Sequence, residues 1–202
     1  MIAIIDYGMG NLRSVQKSLQ YIGEEAIITS DSSDIINADG IILPGVGAFP
    51  DAVENLSRKG LDKIFKEVVK SGKPALGICL GMQLLFSLGE EIRESRGLQL
   101  LKGRIKRIYA DVKIPHMGWN SINIKKTCEI LDGVTEESYV YFVHSFYAEV
   151  ENTEDLNAVS NYGIEIPAVV SRRNLFGVQF HPEKSGDIGM HILKNFSKLT
   201  RL

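Results

Sequence analysis

The segment Gly77-Ile78-Cys79-Leu80-Gly81 sets a thiol between two glycines, after the apolar run Ala75–Ile78 and before a helical stretch that opens at Leu80. A sharp strand-to-helix turn of this kind presents its central residue as a nucleophile, here cysteine in the position often held by serine. Side chains beside the nucleophile would collide with the neighbouring strand and helix, which accounts for the glycines. A thiol at a helix N-terminus also faces N–H groups and the positive end of the dipole, and both favour thiolate. Taken alone, the pentapeptide equally fits a core cysteine between two packing glycines. A second segment, Phe180-His181-Pro182-Glu183, follows the apolar run 175–179. In an extended chain the side chains of His181 and Glu183 point the same way. Glu183 can then fix the imidazole tautomer while His181 acts as base toward a thiol. Alone, it also fits a surface turn. The third segment, Leu43-Pro44-Gly45-Val46-Gly47-Ala48-Phe49, could bring backbone N–H groups close to a developing oxyanion, with the N–H of Leu80 as the partner donor. A plain strand-to-helix loop is the simpler alternative, and no Gly-Lys-Ser/Thr element follows to suggest phosphate binding.

The elements that must position these residues alternate in the first half. Residues 2–6, 25–29, 40–43 (stopped by Pro44) and 75–78 read as strands. Helices are expected after Asn11, a plausible cap, with Leu12, Val15, Leu19 and Ile22 on one face, and over 61–70 and 80–86. Strands apolar on both sides and joined by helices imply a mostly parallel sheet covered on both faces. From Gly97 to Val178 short β-type runs dominate, at 105–109, 120–124, 139–143, 168–171 and 175–180, and suggest antiparallel hairpins added to one sheet edge. A closing helix carries Ile188, Ile192, Phe196 and Leu199. The expected fold class is α/β, a single three-layer domain over residues 1–202.

With 44% hydrophobic and 24% charged residues, the chain has the composition of a globular domain, neither disordered nor fibrous. A net charge of −2, with no long run of one sign, points away from nucleic acid and from anionic membrane surfaces. No apolar stretch reaches the roughly 20 residues that span a bilayer, and the apolar start broken by Asp6 reads as a first strand and not a signal peptide. A cytoplasmic location is expected. Two cysteines make no disulfide framework. Cys128, with no glycine turn or histidine nearby, reads as a spectator, and the spacing of His116, His144, His181 and His191 matches no metal-ligand pattern. Neither metal nor cofactor is expected.

Gly77-Ile78-Cys79-Leu80-Gly81-Met82-Gln83 together with a distant His181-Pro182-Glu183 resembles the class I (triad) glutamine amidotransferases. Further motifs extend the likeness along nearly the whole chain: 6–11 (Asp-Tyr-Gly-Met-Gly-Asn), 44–47 (Pro-Gly-Val-Gly), 115–120 (Pro-His-Met-Gly-Trp-Asn), 141–145 (Tyr-Phe-Val-His-Ser) and 181–185 (His-Pro-Glu-Lys-Ser). They narrow it to the branch of glutaminase subunits that serve imidazole glycerol phosphate synthase in histidine biosynthesis. The resemblance implies Cys79 as nucleophile, His181 as general acid/base and Glu183 as its orienting partner. It implies an oxyanion hole from Leu80 and the segment Gly45, Val46, Gly47, a segment thought in that family to reorient when the partner is engaged. Gln83, Glu91, Ser145 and Phe146 are implied as grips for the amino-acid end of glutamine. Phe146 stands where a tyrosine is expected, so a hydroxyl is missing. Asn11, His116, Met117, Trp119, Asn120 and Lys184 are implied to face or signal to a partner, a (β/α)₈-barrel cyclase subunit that receives ammonia in a heterodimer.

Two other functions stay open on sequence grounds. A partner-independent hydrolase of γ-glutamyl or other amides would keep the triad and turn over without glutamine. A non-enzymatic binding subunit would have a Cys79 inert to glutamine-like electrophiles.

Overall fold

The computed structural model describes residues 1–201. In chain order its first half contains β1 (Ile2–Ile5), α1 (Leu12–Tyr21), β2 (Ala26–Thr29), α2 (Ser32–Asn37), β3 (Gly40–Gly45), α3 (Phe49–Arg58), α4 (Leu61–Lys70), β4 (Ala75–Cys79) and α5 (Leu80–Leu84). Then follow β5 (Phe86–Gly89), β6 (Ser95–Arg96), β7 (Leu101–Arg107), β8 (His116–Ser121), β9 (Asn123–Ile124), β10 (Tyr139–His144) and β11 (Phe146–Val150). β12 (Leu156–Asn161), β13 (Glu165–Arg172), β14 (Leu175–Val178) and α6 (Gly186–Leu199) complete the chain.

An eight-stranded sheet runs in the order β2-β1-β3-β4-β14-β13-β12-β9. β2, β1, β3, β4 and β14 are mutually parallel, and β13 turns the ladder antiparallel. Every residue of β1, β3, β4 and β14 is buried, because helices cover both faces and leave no polar side to the strands. The period of two divides them. Ala3, Ile5, Ile41 and Leu43 pack with Phe49 and Phe65 of α3 and α4, while Ile2, Ile4, Ile42 and Ile78 pack with Val15 and Leu19 of α1 and Phe196 of α6. The three-layer α/β expectation holds. Among the described residues no helix is long and apolar enough to cross a membrane.

Several details differ from the sequence reading. β3 does not stop at Pro44 but continues to Gly45. Beyond Ile42 it pairs with β4 alone, so a residue without an N–H is tolerated there. The helix expected over 80–86 ends at Leu84, because the carbonyls of Leu84 and Leu85 are taken by the N–H groups of Leu98, Leu100 and Leu101. α2 and α3 were not anticipated. The side chain of Asp31 caps α2 by accepting from the N–H groups of Ser33 and Asp34, and Pro50 lies in the first turn of α3, where its missing N–H is harmless. Finally, only β9, β12 and β13 extend the sheet edge. β14 lies inside the sheet, parallel to β4, and the remaining strands form a β11-β7-β5-β6 sheet and a β8–β10 ribbon.

Candidate active site

Cys79 ends β4 with φ 54° and ψ −110°, a left-handed conformation costly for a residue with a side chain. Its flanking glycines are required sterically. A Cβ on Gly81 would lie 1.7 Å from the carbonyl oxygen of Leu43, and one on Gly77 would lie 2.7 Å from the backbone of Gly81 and Met82. Strand and short helix thus close on the turn, and Cys79 is 6% exposed.

His181 follows β14, the parallel neighbour of β4, which brings the two distant segments to the same sheet edge. Its backbone N–H donates to the carbonyl of Tyr141 at 2.9 Å, and its own carbonyl accepts from Ser185 Oγ at 2.6 Å. Nδ1 lies 2.8 Å from Glu183 Oε1, which orients the ring and leaves the buried Nε2 as the nitrogen that Glu183 does not engage. Burial disfavours the charged imidazole, but Cys79 and Glu183 outweigh it and push His181 up to about 10. That direction favours the imidazolium, the form that can give up a proton.

Cys79, His181, Val46, Gly47, Gln83 and Glu91 line one cavity of about 300 Å³, together with Leu80 and the Val143–Phe146 segment. All three triad positions therefore meet, with Glu183 reaching the cavity through His181. Gly45 is the β3 residue in register with Cys79, and its Cα face is filled by Tyr7, whose Oη would lie 2.5 Å from a Cβ there. Gly47 has φ +107° and packs on Met9. Glu91 Oε2 accepts the N–H of Phe49 at 2.8 Å, tying the loop after β5 to the start of α3. Gln83 is buried, its Nε2 donating to the carbonyl of Phe146 at 2.9 Å and to Gln179 Oε1 at 3.1 Å.

Sequence reasoning missed two groups. Gln179, fully buried two residues before His181, directs Nε2 at Cys79 Sγ over 3.7 Å. His144 and His116 form a buried pair, Nε2 of the former 2.9 Å from Nδ1 of the latter. Their protons are ordered by the ends of the chain. Asn120 Oδ1 accepts the N–H of Ser121 and its Nδ2 donates to the carbonyl of Asn161, so Nδ2 also donates to His116 Nε2. His116 must then carry its proton on Nδ1, and His144 carries its own on Nδ1, which donates to the carbonyl of Phe146 at 2.8 Å. Burial pushes His116 down to about 4 and His144 to about 3, so both are neutral. No metal-binding cluster occurs among the described residues.

The expected partner-facing residues divide. Met117 and Trp119, 60% and 54% exposed, share one face of the β8–β10 ribbon with exposed Tyr139, and Lys184 Nζ lies 5.8 Å over the Tyr141 ring. His116 is instead buried between Phe142 and Tyr162, with ring centroids 4.5 and 3.9 Å away. Its sequence neighbours signal an exposed strand, but alternation turns His116 inward. Half-buried Asn11 heads α1 without capping it, accepting instead from Ser14 Oγ at 2.8 Å. Cys128 lies apart from the site and half-buried.

The family model for glutamine amidotransferase class-I matches residues 3–199. The chain is 54% identical over 196 residues to a Bacillus cereus (strain ATCC 14579) protein named imidazole glycerol phosphate synthase subunit HisH, covering 97% of this chain and 93% of that one. The protein of the same name from Bacillus thuringiensis (strain Al Hakam) is 54% identical over the same shares. Among solved structures, a crystal structure of a glutamine amidotransferase aligns over 100% of both chains with TM-score 0.78 and 18% identity. PurLQS from Thermotoga maritima aligns over 98% of this chain and 97% of that one, with TM-score 0.77 and 19% identity.

Proposed function

The chain belongs to the class-I glutamine amidotransferase family, and from that premise we propose that it is the glutaminase subunit of an imidazole glycerol phosphate synthase, acting in histidine biosynthesis. The observation that carries the chemistry is a strained Cys79 in one small cavity with a His181 that Glu183 holds at 2.8 Å. Cys79 as thiolate attacks the side-chain carboxamide carbon of glutamine, and the C=O electrons move to oxygen. The Leu80 N–H and the Gly45–Gly47 segment hold that oxyanion. When the tetrahedral intermediate collapses, the C–N bond breaks, Nε2 of His181 donates its proton, and ammonia leaves a glutamyl thioester. Neutral His181 then takes a proton from water, which attacks the thioester. Glutamate departs and Cys79 returns as thiolate. Gln83, Glu91, Ser145 and Phe146 wall the cavity where the amino-acid end of glutamine is held. Ammonia passes to the cyclase subunit, a (β/α)₈ barrel, docked on the face that carries Met117 and Trp119.

Glutamate release is measured for the wild-type and Cys79→Ala chains, alone and with the cyclase subunit and its nucleotide substrate. A large rise on adding the cyclase, absent in Cys79→Ala while ammonia-dependent synthesis survives, is expected. Wild-type glutamate release from the Cys79→Ala complex would sink the assignment.

A further inference from the structure

Gln179 is a buried amide whose orientation can be deduced. The Phe146 carbonyl can only accept, so the Gln83 atom 2.9 Å from it is the nitrogen. That same nitrogen, 3.1 Å from Gln179, identifies the Gln179 atom facing it as oxygen. The remaining end of Gln179, its Nε2, is therefore turned to Cys79 Sγ at 3.7 Å. The starting point is itself fixed, since the Phe146 carbonyl takes a second donor, His144 Nδ1 at 2.8 Å, whose tautomer the His116–Asn120 chain dictates. Gln179 is fully buried, beyond the reach of bulk water, and lies outside the cavity lining. A buried amide behind the cavity wall needs its partners, and an N–H aimed at a sulfur favours the anionic form over the thiol.

We propose that Gln179 is a positioning residue of the reaction, its amide locked by Gln83 so that an N–H is donated to the sulfur of Cys79 and holds the thiolate facing the cavity. This rests on the reading of Cys79 as the nucleophile. It differs from the roles of Leu80 and Gly45–Gly47, which address the substrate oxygen, and of His181, which moves the proton.

The test is Gln179→Met, close in shape and length but without a donor, with Gln179→Leu as a second variant. Alkylation of the free chain by iodoacetamide is followed at neutral pH by mass spectrometry of the peptide containing residue 79, alongside melting curves. Both variants are expected to melt cooperatively, with alkylation of Cys79 slowed about tenfold, the worth of one hydrogen bond to a charged group. In the complex, kcat for glutamine hydrolysis should fall in similar proportion while KM changes by less than about twofold, since the amide does not touch substrate. Should the variants fail to fold, the side-chain amide proton signals of Gln179 in the otherwise native Cys79→Ala chain decide, because loss of the sulfur must shift them. Wild-type reactivity in a folded variant, or unshifted signals in Cys79→Ala, would overturn the proposal. If wild-type Cys79 reacts no faster than Cys128, the nucleophile assignment itself fails, and the positioning role with it.

Discussion

Gly81 shows how tightly the nucleophile turn is built, because the obstacle to a side chain there is backbone and cannot move aside. With 1.7 Å between a new Cβ and the Leu43 carbonyl oxygen, Gly81→Ala must push α5 off β3, and a loss of more than about 3 kcal/mol of stability is expected. Urea unfolding measures it, and a variant as stable as wild type would show that the turn has slack. Tyr7 points the other way. Its hydroxyl is buried beside Gly45 without a hydrogen-bond partner, and burial, then Cys79, raises its titration far above that of an ordinary phenol. Removing an unpaired buried hydroxyl should stabilise, so Tyr7→Phe is expected to gain about 1 kcal/mol, or about 2–4 °C in melting temperature. A lower melting temperature would mean that the hydroxyl has a partner in solution. The triad was legible because each of its two segments is local: a thiol between glycines, and a histidine two residues before a carboxylate. Gln179 was not, since its function lies in contacts with residues about a hundred positions away, Gln83 and Cys79, which no local pattern encodes.

Elements were legible where their pattern was long or wholly apolar. β1, β3, β4 and α4 were read within a residue or two, whereas α2 has six residues and one buried side chain, too few to show a period. β10 was legible as a strand, whereas the run read at 120–124 straddles the end of β8 and β9, and the neutral histidine pair was not seen, because pairing His144 with His116 depends on register. That pair has a consequence for pH. Both rings are held below the ordinary value of 6.5, at about 4 and about 3. The unfolded chain therefore takes up protons near pH 6.5 that the folded chain refuses, and stability is lost as pH falls from 6.5 toward 4. His181 behaves oppositely. Raised to about 10, it stabilises fully below pH 6.5 and loses that contribution as pH rises through 10. Urea midpoints should accordingly peak near pH 6.5. His116→Phe keeps the stack on Phe142 and Tyr162 but removes one titrating ring, and should flatten the fall between pH 6.5 and 5, above the range of ordinary carboxylates. An unchanged acid slope in that variant would rule the pair out as its source.

At the scale of the whole molecule, the parallel strands β3, β4 and β14 end together, and so the Gly45–Gly47 segment, Cys79 and His181 converge on one sheet edge. The β8–β10 ribbon flanks that edge, its β8 strand tied to β12 by Ser160 Oγ donating to the Ser121 carbonyl and Asn120 Nδ2 donating to the Asn161 carbonyl. The backbone edge of β10 touches the site directly, since the Tyr141 carbonyl accepts the N–H of His181 and the Tyr141 N–H donates to Ser185 Oγ. The exposed face of the ribbon shows Met117, Trp119 and Tyr139, large apolar groups that a lone domain gains nothing by exposing. Trp119 meets Tyr141 edge-on at 6.1 Å, so whatever packs on the tryptophan lies one ring away from the strand that holds the backbone of His181. Aromatic residues in such positions carry much of the energy of protein interfaces. If this face receives the cyclase subunit, Trp119→Ala should weaken the complex by about 30-fold, the loss of roughly 2 kcal/mol that marks a hot spot. The melting temperature of the isolated chain should hardly move, because the side chain is half in solvent. Calorimetric titration with the cyclase decides. An unchanged Kd would place the docking face elsewhere, whereas weaker binding at unchanged stability would put the partner on the exposed face of the ribbon whose β10 edge holds the backbone of His181.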